Sequence, residues 1–176
     1  MFSRIVRTLS VLVALALFVT AASPAAAAPK PTGNSIVDVA IAVNSSGPFA
    51  GQFDTLIAGV LAADPAVVST LSGKGQFTVF APTDAAFDKL GLNASNIGTA
   101  LDQGTLTSIL LYHVARGNRD SGDVLSSTQI RMLSGGFLKQ SNGVLTDNRG
   151  RLANIIVTDV PASNGVIHAI DTVVLP

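Results

Sequence analysis

The chain has 176 residues with no cysteine, and its eleven Lys and Arg balance eleven acidic residues, all of them Asp. Without Cys there is neither a disulfide nor a lipid-bearing Cys, so the fold rests on its apolar core. The cations are scattered, with no basic stripe and no interleaved aromatics, which excludes a nucleic-acid partner of the usual kind.

Arg4 and Arg7 form a basic n-region, and Leu9 to Val19 is an uncharged apolar h-region. Ala21 to Ala28 then supplies small residues, interrupted by Ser23 and Pro24. This order predicts a secretory signal peptide over 1–27, cut after Ala27 at an Ala-x-Ala site. The apolar run is shorter than the ~20 residues that cross a bilayer, so no stable membrane span is expected once the signal is removed. The expected location is secreted, periplasmic or cell-surface. The mature chain, Ala28 to Pro176, has 149 residues and, without Arg4 and Arg7, a net charge of about −2. That length is enough for one compact domain.

Residues 28–34, with Pro29, Pro31 and Gly33, read as a flexible leader. From Ser35 the apolar spacing turns helical. Ile36, Val39, Ala40 and Val43 share one face, with Asn34 or Ser35 as cap. Phe53, Leu56, Ile57, Val60 and Leu61 predict a second helix over 52–62. Asp64-Pro65 opens a third, closed by Gly73 and Gly75.

Phe77 to Ala81 is a short run of β-formers and predicts a buried strand, with Pro82 ending its pairing. Thr83 or Asp84 caps a helix whose inner face carries Phe87 and Leu90. Leu106, Ile109, Leu110 and His113 fall at helical spacing and predict a helix over 105–115, ended by Gly117-Asn118. Beyond it the period becomes two. Turn signals stand at Gly135-Gly136, Asn142-Gly143, Asn148-Arg149-Gly150 and Asn164-Gly165. Strands are expected near Ile130, near Val144, at Ile155 to Val157 and at Val166 to Leu175. Helices followed by strands predict an α+β sandwich and not a βαβ sheet.

Two segments stand out from this layout: Phe77-Thr78-Val79-Phe80-Ala81-Pro82-Thr83-Asp84-Ala85-Ala86-Phe87, and Asn164-Gly165-Val166-Ile167-His168-Ala169-Ile170-Asp171 running on to Leu175-Pro176. They resemble the two signatures of the fasciclin-like domain family, and Leu110-Leu111-Tyr112-His113-Val114 resembles its Tyr-His helix. The resemblance covers 35–176 and is closest in layout to small secreted single-domain bacterial members. It implies a β-sandwich wedge flanked by several short α-helices, used for adhesion to extracellular or envelope proteins or glycans. In animal members an Asp-Ile pair before the second signature, and the Tyr-His region, are implicated in integrin binding. The matching positions here are Asp159-Val160, followed by Pro161, so the candidate partner residues are Asp159, Val160, Tyr112 and His113. Some members bind carotenoids. An apolar small molecule, carotenoid or lipid, held between helices and sheet, is therefore the alternative function.

Each site also has a packing reading. His113 lies on the apolar stripe of its helix, and Tyr112 carries an apolar body with a polar tip. His168 shares a strand face with Val166 and Ile170. Asp84 reads as a helix cap and Asp171 as a hydrogen-bonding strand residue. Thr83, Asp84, Phe87, Gly165, His168 and Asp171 are thus a structural signature. Asn44-Ser45-Ser46 and Asn93-Ala94-Ser95 fit glycosylation acceptors but read as polar loops in a bacterial host.

Enzyme chemistry has no carrier. There is no Cys and no Glu, and His occurs only twice. No Gly-x-Ser-x-Gly elbow, His-Glu-x-x-His pair or phosphate loop is present. Two distant His do not make a zinc site, and Asp147-Asn148-Arg149-Gly150 lacks the acidic ladder of a calcium loop. Neither a cofactor nor a metal is expected.

Overall fold

The computed structural model describes residues 33–176; the expected signal peptide and most of the leader lie outside the described residues. At the end of that leader, the Asn34 carbonyl accepts from the Ser163 N–H at 3.0 Å, so this residue is tied to the domain. Helix α1 (Ile36–Ser45) starts in a capping box in which the Ser35 hydroxyl and the Asp38 carboxylate accept from each other's backbone N–H. Helices α2 (Asp54–Ala62) and α3 (Pro65–Ser72) follow, and Asp64 caps α3 by accepting from the Ala66 N–H at 2.8 Å.

Strand β1 (Phe77–Pro82) is buried along its whole length. It lies between β2 (Val114–Arg116) and β7 (Gly165–Ile170), antiparallel to the first and parallel to the second. From β7 the sheet continues through β6 (Leu152–Ala162), β5 (Val144–Thr146), β4 (Phe137–Ser141) and β3 (Gln129–Arg131), all antiparallel.

The long strand β6 serves both halves of this sheet. Register shifts at Ile155/Val157 and Val157/Val160 bend it, because an extra residue on one strand increases local twist and re-aims the chain. The sheet folds over until Ala115 bridges Met132, which brings β2 beside β3 and nearly closes a barrel. Side chains then sort by strand phase. Phe80 and Ile170 point into the wedge with Ile130, Leu138, Leu145 and Ala153. Val79, Ala81, Ile167 and Ala169 point the other way, under a helical layer that brings Leu56, Phe87 and Leu106. The α+β wedge flanked by short helices is the observed fold.

Several boundaries differ from the sequence pattern. Helix α6 is Gln103–Tyr112, capped by Asp102, and His113 closes it. Val114–Arg116 leaves the helix to pair with β1, because pairing buries Val114 and Ala115 at the sheet edge. Helix α4 (Asp84–Asp88) is too short to carry Leu90, which is exposed. Strand β7 stops at Ile170, and Asp171 to Pro176 follows without strand pairing. Strand β4, the short helix α5 (Ile97–Ala100) and helix α7 (Ser121–Ser126) carry too little apolar periodicity to be read from sequence. The parallel β1–β7 pair joins segments far apart in the chain, which local pattern does not register.

Candidate functional site

The candidate partner residues lie in two different settings. Asp159 sits at the bend of β6 with φ of 60°, a left-handed conformation that Asp tolerates better than most residues. Its side chain is exposed and its Oδ1 accepts from the Ser121 N–H at 2.7 Å, at the start of α7. That hydrogen bond holds the carboxyl below the usual Asp range. Val160 is half-buried and packs against the helical layer. The two neighbours therefore face opposite ways, one to solvent and one to the core.

The backbone of Asp159 is fixed by the second signature. Val166, His168 and Ile170 alternate on β7, and His168 lies fully buried with its ring stacked on Phe80 at 5.7 Å. Its Nδ1 accepts from the Asp159 N–H at 3.2 Å, and its Nε2 faces the Arg119 carbonyl at 2.9 Å. A nitrogen facing a carbonyl carries the proton and one facing an N–H does not, which assigns the neutral Nε2–H form. His168 thus binds the β6 bend to the loop that opens α7.

Tyr112 and His113 are not part of that surface. Tyr112 is 0% exposed and His113 2%, so the expectation of a surface patch is corrected. The Tyr112 hydroxyl donates to the Phe137 carbonyl at 2.7 Å, and burial raises its pKa. Gly136 makes room for the ring, since a Cβ there would collide with Tyr112 Cε2. His113 Nδ1 donates to the Ile109 carbonyl at 2.8 Å, and its Nε2 accepts from the Val174 N–H at 3.2 Å. Burial pushes the His113 pKa down to about 4. Both side chains hold the end of α6 to the wedge interior and the C-terminal segment.

The remaining signature residues are bridges between elements. Asp84 does not cap its own helix: it accepts from the Thr55 N–H at 2.8 Å and the Asp54 N–H at 3.3 Å, at the start of α2. Thr83 is buried and makes no side-chain cap; its N–H donates to the Ile170 carbonyl at 3.2 Å. Phe87 fills the helical core. Gly165 lies flat against the Phe77 carbonyl, where any Cβ would overlap it. Asp171 accepts from both the N–H and the Nδ2 of Asn154 at 2.8 Å.

Asn164 and Asp147 carry as much structure and read from sequence only as turn residues. The Asn164 side chain accepts from the Ile36 N–H and donates to the Leu71 and Gly73 carbonyls, joining α1, α3 and β7. The Asp147 carboxylate pairs with Arg151 and accepts from the backbone N–H groups of Arg149, Arg151 and Leu175. Burial would raise its pKa, but those donors hold it below the usual range. Asn44, expected in a loop, ends α1 and binds Phe53 and Asp54 at the start of α2. Asn93 makes an Asx turn to Ser95 and Asn96.

Beneath α1 the packing is incomplete. A cavity of about 100 Å³ lies among Ile41, Leu61, Val68 and Val114. A second, of about 30 Å³, lies beside Phe49, Phe53 and Val160. Both are lined by Ala40, Leu56, Ala81 and Ile167, so they form one apolar trough with α1 as its roof. Among the described residues no group of three or more metal-ligating side chains exists, and no single helix is long and apolar enough to cross a membrane.

A coiled sheet layered by helices on one side and closed by buried hydrogen bonds is the fold that carries these residues. The fasciclin domain profile matches residues 51–176, and the chain belongs to the fasciclin domain family. It is similar to protein sll1483 of Synechocystis sp., with 43% identity covering 70% of this chain and 67% of that one. It is similar to the cell surface glycolipoprotein MPT83 of Mycobacterium tuberculosis, with 34% identity covering 85% and 68%. Similarity to the pig transforming growth factor-beta-induced protein ig-h3 is 36% identity over 71% of this chain and 18% of that protein. Among solved structures, the domain pair of the insect cell adhesion molecule fasciclin I shares the fold. Its TM-score is 0.63 at 19% identity, over 81% of this chain and 51% of that one.

Proposed function

We propose that this protein is an exported, non-catalytic adhesion module that binds a protein or glycan of the envelope or cell exterior through the bend of β6. The observation that carries the reading is Asp159. An exposed carboxylate in a left-handed backbone, tied to Ser121 and held from behind by a buried histidine, presents a fixed anionic corner. Thr158 and Pro161 are exposed beside it. Val160 anchors that corner to the helical core, and Tyr112 and His113 lie elsewhere in the interior. The family, and relatives named as surface proteins, support the adhesive role and the location.

Asp159→Asn tests it, because Asn tolerates the same backbone and keeps an acceptor for Ser121 while removing the charge. Adhesion of cells or envelope fractions to the immobilised variant is expected to fall at least tenfold with the thermal melt unchanged. Undiminished adhesion rejects Asp159 as the contact.

A second reading rests on the trough. Apolar cavities stay dry and accept apolar guests, and this one is floored and roofed by Ala81 and Ala40. The guest would be a carotenoid or lipid chain. Ala40→Leu fills the trough, so it is expected to raise the melting temperature and to remove any pigment or lipid that copurifies from the native host. Colourless, lipid-free native protein rejects this reading.

A further inference from the structure

Of the seven helices among the described residues, six lie away from the outer face of the β3–β6 half-sheet. Helices α1 to α6 layer against β1, β2, β6 and β7 or one another, and α7, which meets β4, sends Val124 into the wedge interior. The opposite side of β3, β4, β5 and the first half of β6 is open to solvent, with outward residues alternating against Ile130, Leu138, Leu145 and Ala153. Strand register then gathers what the sequence scatters. Arg131 stands opposite Phe137, and the next row runs Gln129, Lys139, Thr146, Leu152. Neighbouring strands lie ~4.8 Å apart, so these side chains form one patch.

Its chemistry is unusual for this chain. Phe137 is 44% exposed and Leu152 60%, beside Arg131 and Lys139. No Asp stands at an outward position from Gln129 to Asn154. Asp147 is turned inward onto Arg151, and Asp171 reaches only the far edge through Asn154. Arg149, exposed in the β5–β6 turn, stands at the same end with its Nε donating to Pro176 O at 3.3 Å. In a mature chain of net charge about −2, this is a cationic face with large apolar side chains among the cations.

We propose that this face docks the protein peripherally on an anionic lipid bilayer. The cations match acidic head groups, and Phe137 and Leu152 enter the head-group boundary. A soluble polyanion would use the cations and leave the apolar side chains without an apolar phase. The proposal is independent of the Asp159 corner and of the trough.

The chain has no Trp, so single substitutions give clean reporters. Phe137→Trp is expected to show a blue-shifted emission with vesicles of phosphatidylglycerol and phosphatidylcholine at low salt, and none with phosphatidylcholine alone. Ala100→Trp, exposed at the end of α5 and outside the trough, is expected to stay unshifted. Co-sedimentation with the mixed vesicles is expected to drop at least tenfold in Lys139→Glu with Arg131→Glu, and severalfold in Phe137→Ser with Leu152→Ser. No sedimentation of the unaltered chain, or a shift at position 100 and not at 137, overturns the proposal. Loss with the charge reversals but none with the Ser pair, together with equal binding to a soluble anionic polysaccharide, overturns it in favour of a polyanion.

Discussion

The Nδ1 of His168 accepts a hydrogen bond from the backbone N–H of Asp159 at 3.2 Å, across the bend of β6. One residue is fully buried in the second family signature, and the other is exposed in a left-handed conformation. The signature histidine therefore acts on the candidate contact by fixing its backbone and not by touching a partner.

Replacing His168 by Phe keeps the stacking on Phe80 but leaves the Asp159 N–H and the Arg119 carbonyl without partners. Each such loss costs about 1–3 kcal/mol. The urea midpoint is expected to fall, and amide exchange at Asp159 and in α7 to rise before that of β1. Uniform exchange across the domain would contradict this linkage.

The buried His113 predicts acid sensitivity. Its folded pKa of about 4 lies below the unfolded value near 6.5, so the unfolded chain binds the extra proton between them. Stability is complete above pH 6.5 and falls as pH drops toward 4, by roughly 3 kcal/mol over that window. Carboxylates held low, Asp147 among them, add their loss only as pH falls below the ordinary Asp range. The measurement is ΔG against pH by urea titration. His113→Gln is expected to be less stable at pH 7 and nearly flat from 6.5 to 4.

Asn164→Ala removes three side-chain hydrogen bonds that tie α1 to the end of α3. A loss of about 2–4 kcal/mol is expected from the buried groups left unpaired. Proteolysis at the α1 boundary should accelerate more than cleavage within the sheet.

Asp84→Ala strips the start of α2 of its acceptor while leaving α4 to its own backbone. The expected cost is about 1–2 kcal/mol, the usual value of a lost helix cap. Fraying of α2 in amide exchange, with α4 unaffected, distinguishes this from a cap on its own helix.

Much of the domain was legible in the chain because its signals are local. Ser35 and Asp64 cap the helices they precede, and Asn142-Gly143 turns β4 into β5 with both residues at positive φ. The site was less legible. For Tyr112 and His113 the local pattern pointed to the core and the family resemblance to a contact surface, and the packing of α6 against the wedge put both inside. Asp84 looked like a cap, and was one, but for a helix thirty residues earlier in the chain.

The sequence by itself determined the α+β class, the burial of β1, the phase of β7, and the absence of Cys and Glu chemistry. These follow from periodicity and composition, which are properties of short segments. Tertiary structure alone decided the parallel β1–β7 pairing, the left-handed turn at Asp159, the trough beneath α1 and the gathering of Arg131, Lys139, Phe137 and Leu152 on one face. Each depends on where a strand pairs or a helix rests, and such long-range pairings are set by the packing of the whole domain.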